Sequence, residues 1–319
     1  MDEGRRTILA AIGLVASGGL LFAVMNAIVK ALLARYPVLM LLWARTFFHV
    51  LFVAIVIPGA VVGALRTREP GIQLARSVLL GSSTLLNFSA LMYLPLGDVA
   101  AITFLSPIIV AAIALLVLRE RVSFLRWLAI GTGFLGALLI VRPTGAGGVG
   151  PGALLALGCA TAYAVYQIST RMVREAEPLV SLLFSGLVGA VLFTALLPWG
   201  WRTPGLFDLA LMVATGVLGA IGHLMIILAL RRAEASRVSP FNYLQLVWAM
   251  TASYLAFGDV PRSTTLAGAA IIVASGLWLY RLDIAELARR SGAGEPGEVA
   301  AVPDATGSGG ERGDAGGRS

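Results

Sequence analysis

Ile8–Val29 reads ILAAIGLVASGGLLFAVMNAIV, 22 residues without a single charge. As an α-helix rising 1.5 Å per residue it would be about 33 Å long, and the hydrocarbon core of a bilayer is roughly 30 Å thick. The run therefore predicts a membrane-spanning helix. It exceeds the apolar region of a typical signal peptide and lacks a persuasive cleavage site. It reads as a span and not as a removed leader.

Outward from this stretch the pattern repeats. Charge-poor runs follow at 37–58, 75–94, 98–118, 124–141, 151–170, 178–198, 206–230, 238–257 and 264–281. None alternates in period two, which excludes the strands of a membrane barrel. The chain of 319 residues is 58% hydrophobic and 13% charged. Soluble domains carry about 25% charge, so a soluble globular enzyme is excluded. Disorder is excluded over most of the length on the same ground.

Other absences narrow the function. Cys159 is the single cysteine and His49 and His223 the only histidines, so neither a disulfide framework nor a multi-His metal centre is expected. No GxxxxGK[ST] loop is present, which argues against ATP-driven pumping. Neither HExxH nor GxSxG occurs, which argues against a metalloprotease or a lipase-type hydrolase. No basic–aromatic nucleic-acid module is visible. The expectation is a protein without catalytic residues, cofactor, metal or nucleic-acid partner.

The net charge of +7 comes from 24 basic residues set in short clusters between the apolar runs. Threaded through ten spans, sixteen of them fall on one side, including Arg5, Arg66, Arg76, Arg119, Arg171, Arg231 and Arg289. Five fall on the other: Lys30, Arg35, Arg142, Arg202 and Arg262. Basic residues favour the cytoplasmic side, so both termini (1–7 and 282–319) are expected in the cytoplasm, with the chain in the inner, cytoplasmic membrane. Ser291–Ser319 is rich in Gly, Ala, Glu, Asp and Pro. It holds too few apolar residues to bury a core and is expected to be disordered.

The two halves match at a shift of about 140 residues. Ala23-Val24-Met25-Asn26 resembles Ala164-Val165-Tyr166-Gln167, Lys30 falls opposite Arg171, Pro37 opposite Pro178, and Glu120 opposite Asp259. Five spans are an odd number, so the second copy enters the membrane from the opposite side. The expected fold is an all-α integral membrane protein of ten transmembrane helices in two inverted five-helix repeats, at 1–142 and 143–283, with a tail at 284–319. Inverted repeats suit secondary carriers, because two similar halves can exchange inward- and outward-open shapes at little difference in energy.

Gly97-Asp98-Val99-Ala100-Ala101-Ile102-Thr103-Phe104-Leu105-Ser106-Pro107, with Leu118-Arg119-Glu120-Arg121 after it, resembles the drug/metabolite transporter superfamily, and within it the EamA-type members. Ser239-Pro240 and Asp259 form the degenerate second copy. Met25-Asn26-Ala27-Ile28-Val29-Lys30, with Tyr36-Pro37 and Arg45, resembles a bacterial subgroup that includes riboflavin and S-adenosylmethionine carriers. The resemblance implies that spans five and ten are peripheral and that the other eight surround the substrate.

Candidate site residues follow from depth. Acidic residues lie in loops, at span ends or in the tail, so no buried carboxylate is available for proton coupling. Arg45 is the one full charge expected deep in a span, about 12 Å from its start. A lone guanidinium in hydrocarbon costs several kcal/mol, so it should face a polar cavity and an anionic substrate group, cap a broken helix, or snorkel outward. His49, one turn on, shares its face. His49 and His223 are the candidates for a proton relay or for neutral packing. Asn26, Asn87, Tyr166, Gln167, Asn242, Tyr243 and Trp248 complete the expected substrate-binding set; the rings suit a planar or cationic ligand. Asn26 and Gln167, at equivalent repeat positions, suggest a pair across the pseudo-two-fold axis. Pro107 and Pro240 interrupt spans and are the expected hinges.

The resulting expectation is a secondary transporter that moves a small polar metabolite, anionic or planar aromatic, by alternating access. Its other partners are membrane lipid and, as a candidate homodimer, a second copy of itself. The rival class is a non-transporting receptor or scaffold, or a lipid-modifying membrane enzyme.

Overall fold

The computed structural model describes residues 3–65, 70–118, 124–141, 149–172, 178–232 and 239–292. Expectations about Glu120 and its flanking arginines, most of the 142–150 loop, and the tail from 293 onward lie outside these residues.

The described chain is helical throughout, with no strand among the described residues. The helices are α1 (Glu3–Leu33), α2 (Val38–Val56), α3 (Pro58–Leu65), α4 (Pro70–Ala90), α5 (Leu96–Thr103) and α6 (Ser106–Leu118). Then come α7 (Phe124–Val141), α8 (Pro151–Met172), α9 (Pro178–Leu196), α10 (Leu206–Arg232), α11 (Leu244–Phe257) and α12 (Ser263–Gly292). Proline opens α3, α4, α8 and α9, where its fixed φ suits a helix start and its missing N–H leaves no bond unmade. At the end of α11 Gly258 adopts φ 71°, and its N–H bonds the Tyr254 carbonyl. This left-handed stop suits glycine.

Five stretches are long and apolar enough to cross a bilayer: Arg6–Leu33, Val38–Val56, Pro151–Ser169, Leu206–Ala229 and Ser263–Leu282. Shorter apolar helices cover Leu96–Val110, Trp127–Val141 and Leu182–Leu196. Large apolar side chains such as Ile55, Phe124, Leu206 and Leu255 point outward and stay exposed. Apolar groups on that scale face lipid comfortably and water poorly. This is a multi-pass membrane protein.

Two expected spans are broken. The run 98–118 divides into α5 and α6 at Phe104–Leu105. Pro107 has no N–H to offer the Thr103 carbonyl four residues back, and the Ser106 hydroxyl donates to that carbonyl instead at 2.7 Å. The run 238–257 begins with a 3-10 turn at Ser239–Tyr243, which contains Pro240, before α11. The structure also adds α3, which the sequence reading merged with the loop after the second span.

Packing forms a closed circuit: α1 against α10, α10 against α2, α2 against α9, α9 against α4, α4 against α8, α8 against α5 and α6, α5 against α11, and α11 back against α1. Outside it, α7 packs mainly on α12. There Gly136 and Gly268 meet backbone to backbone, and a methyl group on Gly268 would sit 2.5 Å from the Gly136 carbonyl oxygen. Ser275 donates to the Ala129 carbonyl across the same crossing. Small residues allow this close helix approach in a bilayer. The peripheral place expected for spans five and ten is the place α7 and α12 occupy.

Candidate functional site

The helix α4 is rich in polar residues, and it is absent from the stretches apolar enough to span alone. Gln73, Arg76, Ser77, Ser83, Thr84 and Asn87 are related by three-, four- and seven-residue steps and so share one face. Gln73, Arg76, Ser77 and Ser83 are buried. That face turns toward α1, α2, α8 and α9, inside the circuit.

At one level of this face stands Arg45 of α2. Its Nη1 donates to Thr84 Oγ1 at 3.2 Å, and its guanidinium carbon lies 6.0 Å from the centre of the Phe88 ring. Arg45 Nε is buried and has no hydrogen-bond partner. His49, on the same face of α2, is buried with its Nε2 also unpartnered. The His223 ring of α10 stands edge-on to it with centroids 5.9 Å apart. His223 Nδ1 lies 2.7 Å from the Gly219 carbonyl oxygen. A carbonyl only accepts, so Nδ1 carries the proton and donates. Gly219 keeps this junction open: a methyl group there would lie 3.3 Å from Met25 Sδ and 3.9 Å from both Arg45 Nε and His49 Nδ1. A turn away, Asn87 Nδ2 donates to Asn26 Oδ1 at 3.1 Å.

The expected set is thus partly gathered. Arg45, His49, His223, Asn26 and Asn87 lie where α1, α2, α4 and α10 meet. Asn26 takes its bond from Asn87 of its own half and not from Gln167, which has no hydrogen bond among the described residues. Tyr166 lies elsewhere, stacked near Tyr163 on α8 with centroids 5.8 Å apart. Trp248 ties α11 to α1 through a 3.1 Å bond to the Ala16 carbonyl. Tyr243 packs on Phe104 at 5.3 Å and sets its hydroxyl against Gly276. Asn242 is exposed.

One inference from sequence is corrected. Arg45 is not the only buried guanidinium. Arg76, counted above with the flanking basic residues of one side, is 2% exposed. The signal was present as the three-and-four spacing of polar residues along α4, which the count of flanking charges passed over. Thr84, Met25 and Phe88 were missed too, because nothing in their type marks them.

Two cations at one end of the bundle are paired. Lys30 Nζ donates to the Leu94 carbonyl at 2.8 Å and lies 3.7 Å from Asp259 Oδ2, which also accepts from Ser253. Beside this pair is a cavity of about 340 Å³ lined in part by Asp98, Asp259 and Arg262. Arg35 bonds both oxygens of Asp208, at 3.0 and 3.2 Å, and the Tyr36 hydroxyl donates to Asp208 at 2.7 Å. That bond holds the Tyr36 pKa above the ordinary tyrosine value.

A family model described as the EamA-like transporter family matches residues 9–142 and again residues 150–281. The S-adenosylmethionine uptake transporter of Rickettsia bellii is 29% identical over 238 residues, covering 73% of this chain and 81% of that protein. The riboflavin transporter of Rhizobium johnstonii is 28% identical, covering 88% of this chain and 94% of that one. The Pseudopaline exporter CntI of Pseudomonas aeruginosa is 27% identical over 82% and 92%. A solved crystal structure with 20% identity superposes at a TM-score of 0.59 over 88% of this chain and 97% of that one, which speaks for the fold alone.

Proposed function

This chain belongs to the EamA-like transporter family, and from that premise we propose that it is a secondary carrier of a small polar metabolite, working by alternating access. Its similar proteins are named as transporters and an exporter, so the family role is transport and not enzymatic catalysis.

The reading takes α5 with α6 as one broken span and places ten spans in two inverted repeats, with both termini cytoplasmic in the inner membrane. The order of neighbours supports it. If each span is exchanged for the one five further along, the circuit of packed helices maps onto itself, and α7 exchanges with α12. That is the behaviour of a pseudo-two-fold axis in the membrane plane.

The observation that carries the substrate reading is Arg45. A buried guanidinium with an unpartnered Nε, next to two histidines and without a carboxylate partner among the described residues, is a place for a ligand carboxylate or other oxyanion. His49 then supplies a second unpartnered nitrogen to the same group. S-adenosylmethionine, moved by one relative, carries a carboxylate and a planar ring; riboflavin, moved by another, carries a planar ring. S-adenosylmethionine is the first substrate for the anion site; riboflavin has no carboxylate and would meet Arg45 through its ring carbonyls instead.

The test is flux into proteoliposomes that contain purified protein, with labelled S-adenosylmethionine and labelled riboflavin. Saturable uptake of one of them, competed by excess unlabelled compound and lost in Arg45→Ala, is the expected result. If Arg45→Ala moves either compound at the wild-type saturable rate, the site is misplaced. If well-folded wild type moves no member of a wider panel of carboxylate-bearing metabolites, the anionic substrate class falls.

A further inference from the structure

Arg76 belongs to no ion pair among the described residues, and its contacts make a built site. Its Nη1 donates to Gln73 Oε1 at 2.9 Å, and Gln73 is fully buried. The guanidinium carbon stands 5.4 Å from the centre of the Tyr166 ring on α8. Arg76 Nε is buried and unpartnered. Next to it Ser77 Oγ donates to the Gln73 carbonyl at 2.6 Å and lies 3.3 Å from Ser185 Oγ of α9. Three helices therefore converge on a guanidinium that has no carboxylate partner among the described residues.

Arg76 also has a fixed relation to the Arg45 site. It lies eight residues before Thr84 on the same face of α4, a distance of about 12 Å along the helix. Ser83, between them, is also buried and points across to the Cys159 carbonyl at 3.3 Å. A polar path along α4 thus has a positive charge at each end, and neither charge has a carboxylate partner among the described residues.

We propose that Arg76, with Gln73 and the Tyr166 ring, forms a second anion subsite, which takes the carboxylate or other oxyanion of the ligand at a different stage of its passage from Arg45. The planar fork of Arg76 offers two parallel donors to such a group, while Tyr166 stacks on the guanidinium and holds it in place. The proposal rests on the carrier reading for its purpose, since a second site matters only to a ligand that moves. Its chemistry stands separately: an anion that reaches Arg76 meets a guanidinium with an unpartnered Nε.

The experiment needs no known substrate. Replacing Cys159 by Ala removes the only cysteine, and Ser77→Cys then places a single thiol beside Arg76. The purified protein in detergent is reacted with two small methanethiosulfonate reagents, one bearing a sulfonate and one a quaternary ammonium. We expect the anionic reagent to react about tenfold faster than the cationic one, the size of local concentration that a like-charged cleft imposes on counter-ions. Arg76→Gln in the same background should erase the preference, and Arg76→Lys should keep part of it. Equal rates for the two reagents, a preference that survives Arg76→Gln, or no reaction with either reagent would overturn the proposal. Failure of the carrier reading looks different. The wild type would then show no saturable flux of any metabolite, while the charge preference at Ser77→Cys persisted.

Discussion

Lys30 and Arg35 differ from Arg45 and Arg76 in a way that reverses simple electrostatics. The first two sit at the end of the bundle, where the Arg35 side chain is 66% exposed, and each has an aspartate within 4 Å. The second two are buried, and neither has one among the described residues. An unpaired charge costs little at an aqueous surface and several kcal/mol in the interior. Chains built for stability alone would place partners the other way round. The paired cations hold helices together: Lys30 joins α1 to the turn before α12, and Arg35 joins the end of α1 to α10. The unpaired ones do not complete their own coordination, which is what a binding group must leave undone.

The largest effect expected from this contrast is at Arg45. Arg45→Ala should reduce saturable flux to the leak of empty vesicles. Arg45→Lys keeps the charge and loses the fork, so ligand affinity should fall about 10- to 100-fold, the range of one or two charge-assisted hydrogen bonds. Equilibrium binding in detergent, with whichever of S-adenosylmethionine or riboflavin the wild type moves, measures it. If Arg45 is instead structural, both variants should lose thermal stability and membrane abundance along with activity. Wild-type affinity in well-folded Arg45→Lys would end the contrast between the two kinds of cation.

At Asp208 the opposite pattern is expected. This carboxylate is buried and accepts from Arg35 and Tyr36 together. Asp208→Asn weakens the charge-assisted bonds and should lower stability by about 1–3 kcal/mol. Thermal unfolding should shift down while ligand affinity stays at the wild-type value. Lost affinity without lost stability would mean that the paired cations also belong to the binding machinery.

Much of this arrangement is legible in the chain. Apolar runs about 20 residues long located the helices, because a bilayer rewards length and apolarity directly. Ser106-Pro107 and Ser239-Pro240 marked both interrupted spans, because a missing N–H forces a local change whatever the packing. Arg45 stood out because nothing else in its run is charged. Arg76 did not, because it lies six residues from the start of α4 and resembles a flanking charge until the helix is seen to bury that face. Gln167 and Asn26 matched in the repeat, but equivalence under a two-fold axis does not bring two side chains into contact. Tyr243 and Trp248 have the right type for ligand stacking, yet their partners here are Gly276 and the Ala16 carbonyl, contacts set by tertiary packing.

A smaller effect is expected at Lys30. Its side chain is 18% exposed and that of Asp259 33%, so the pair is screened and contributes about 1 kcal/mol or less. Lys30→Met should leave thermal stability nearly unchanged. It should, however, loosen the end where α1 meets the turn before α12. In the Cys159→Ala background, the labelling rate of a Ser253→Cys thiol beside Asp259 should rise up to about fivefold, the factor that ~1 kcal/mol allows. Exchanging the two charges, with Lys30→Asp and Asp259→Lys together, should bring the rate back toward wild type. A double variant that labels as fast as Lys30→Met would show that the ion pair does not hold this end closed.

The smallest effect is expected in the segment that follows the last helix. Arg312 and Arg318 lie in the segment after residue 292, which carries almost no large apolar side chain. Docking a segment against the bundle requires buried apolar area or a specific charge partner to offset the conformational entropy of ordering it. A chain truncated after Gly292 should therefore insert, bind and transport like the full chain, with a thermal midpoint within about 1 °C, since surface changes away from such contacts stay within roughly 0.5 kcal/mol. Reporter fusions at the new end should report the same side of the membrane as fusions at the amino terminus. Lost flux at normal abundance would place Arg312 and Arg318 with the functional cations. The contrast between paired and unpaired charge would then extend beyond the helical bundle.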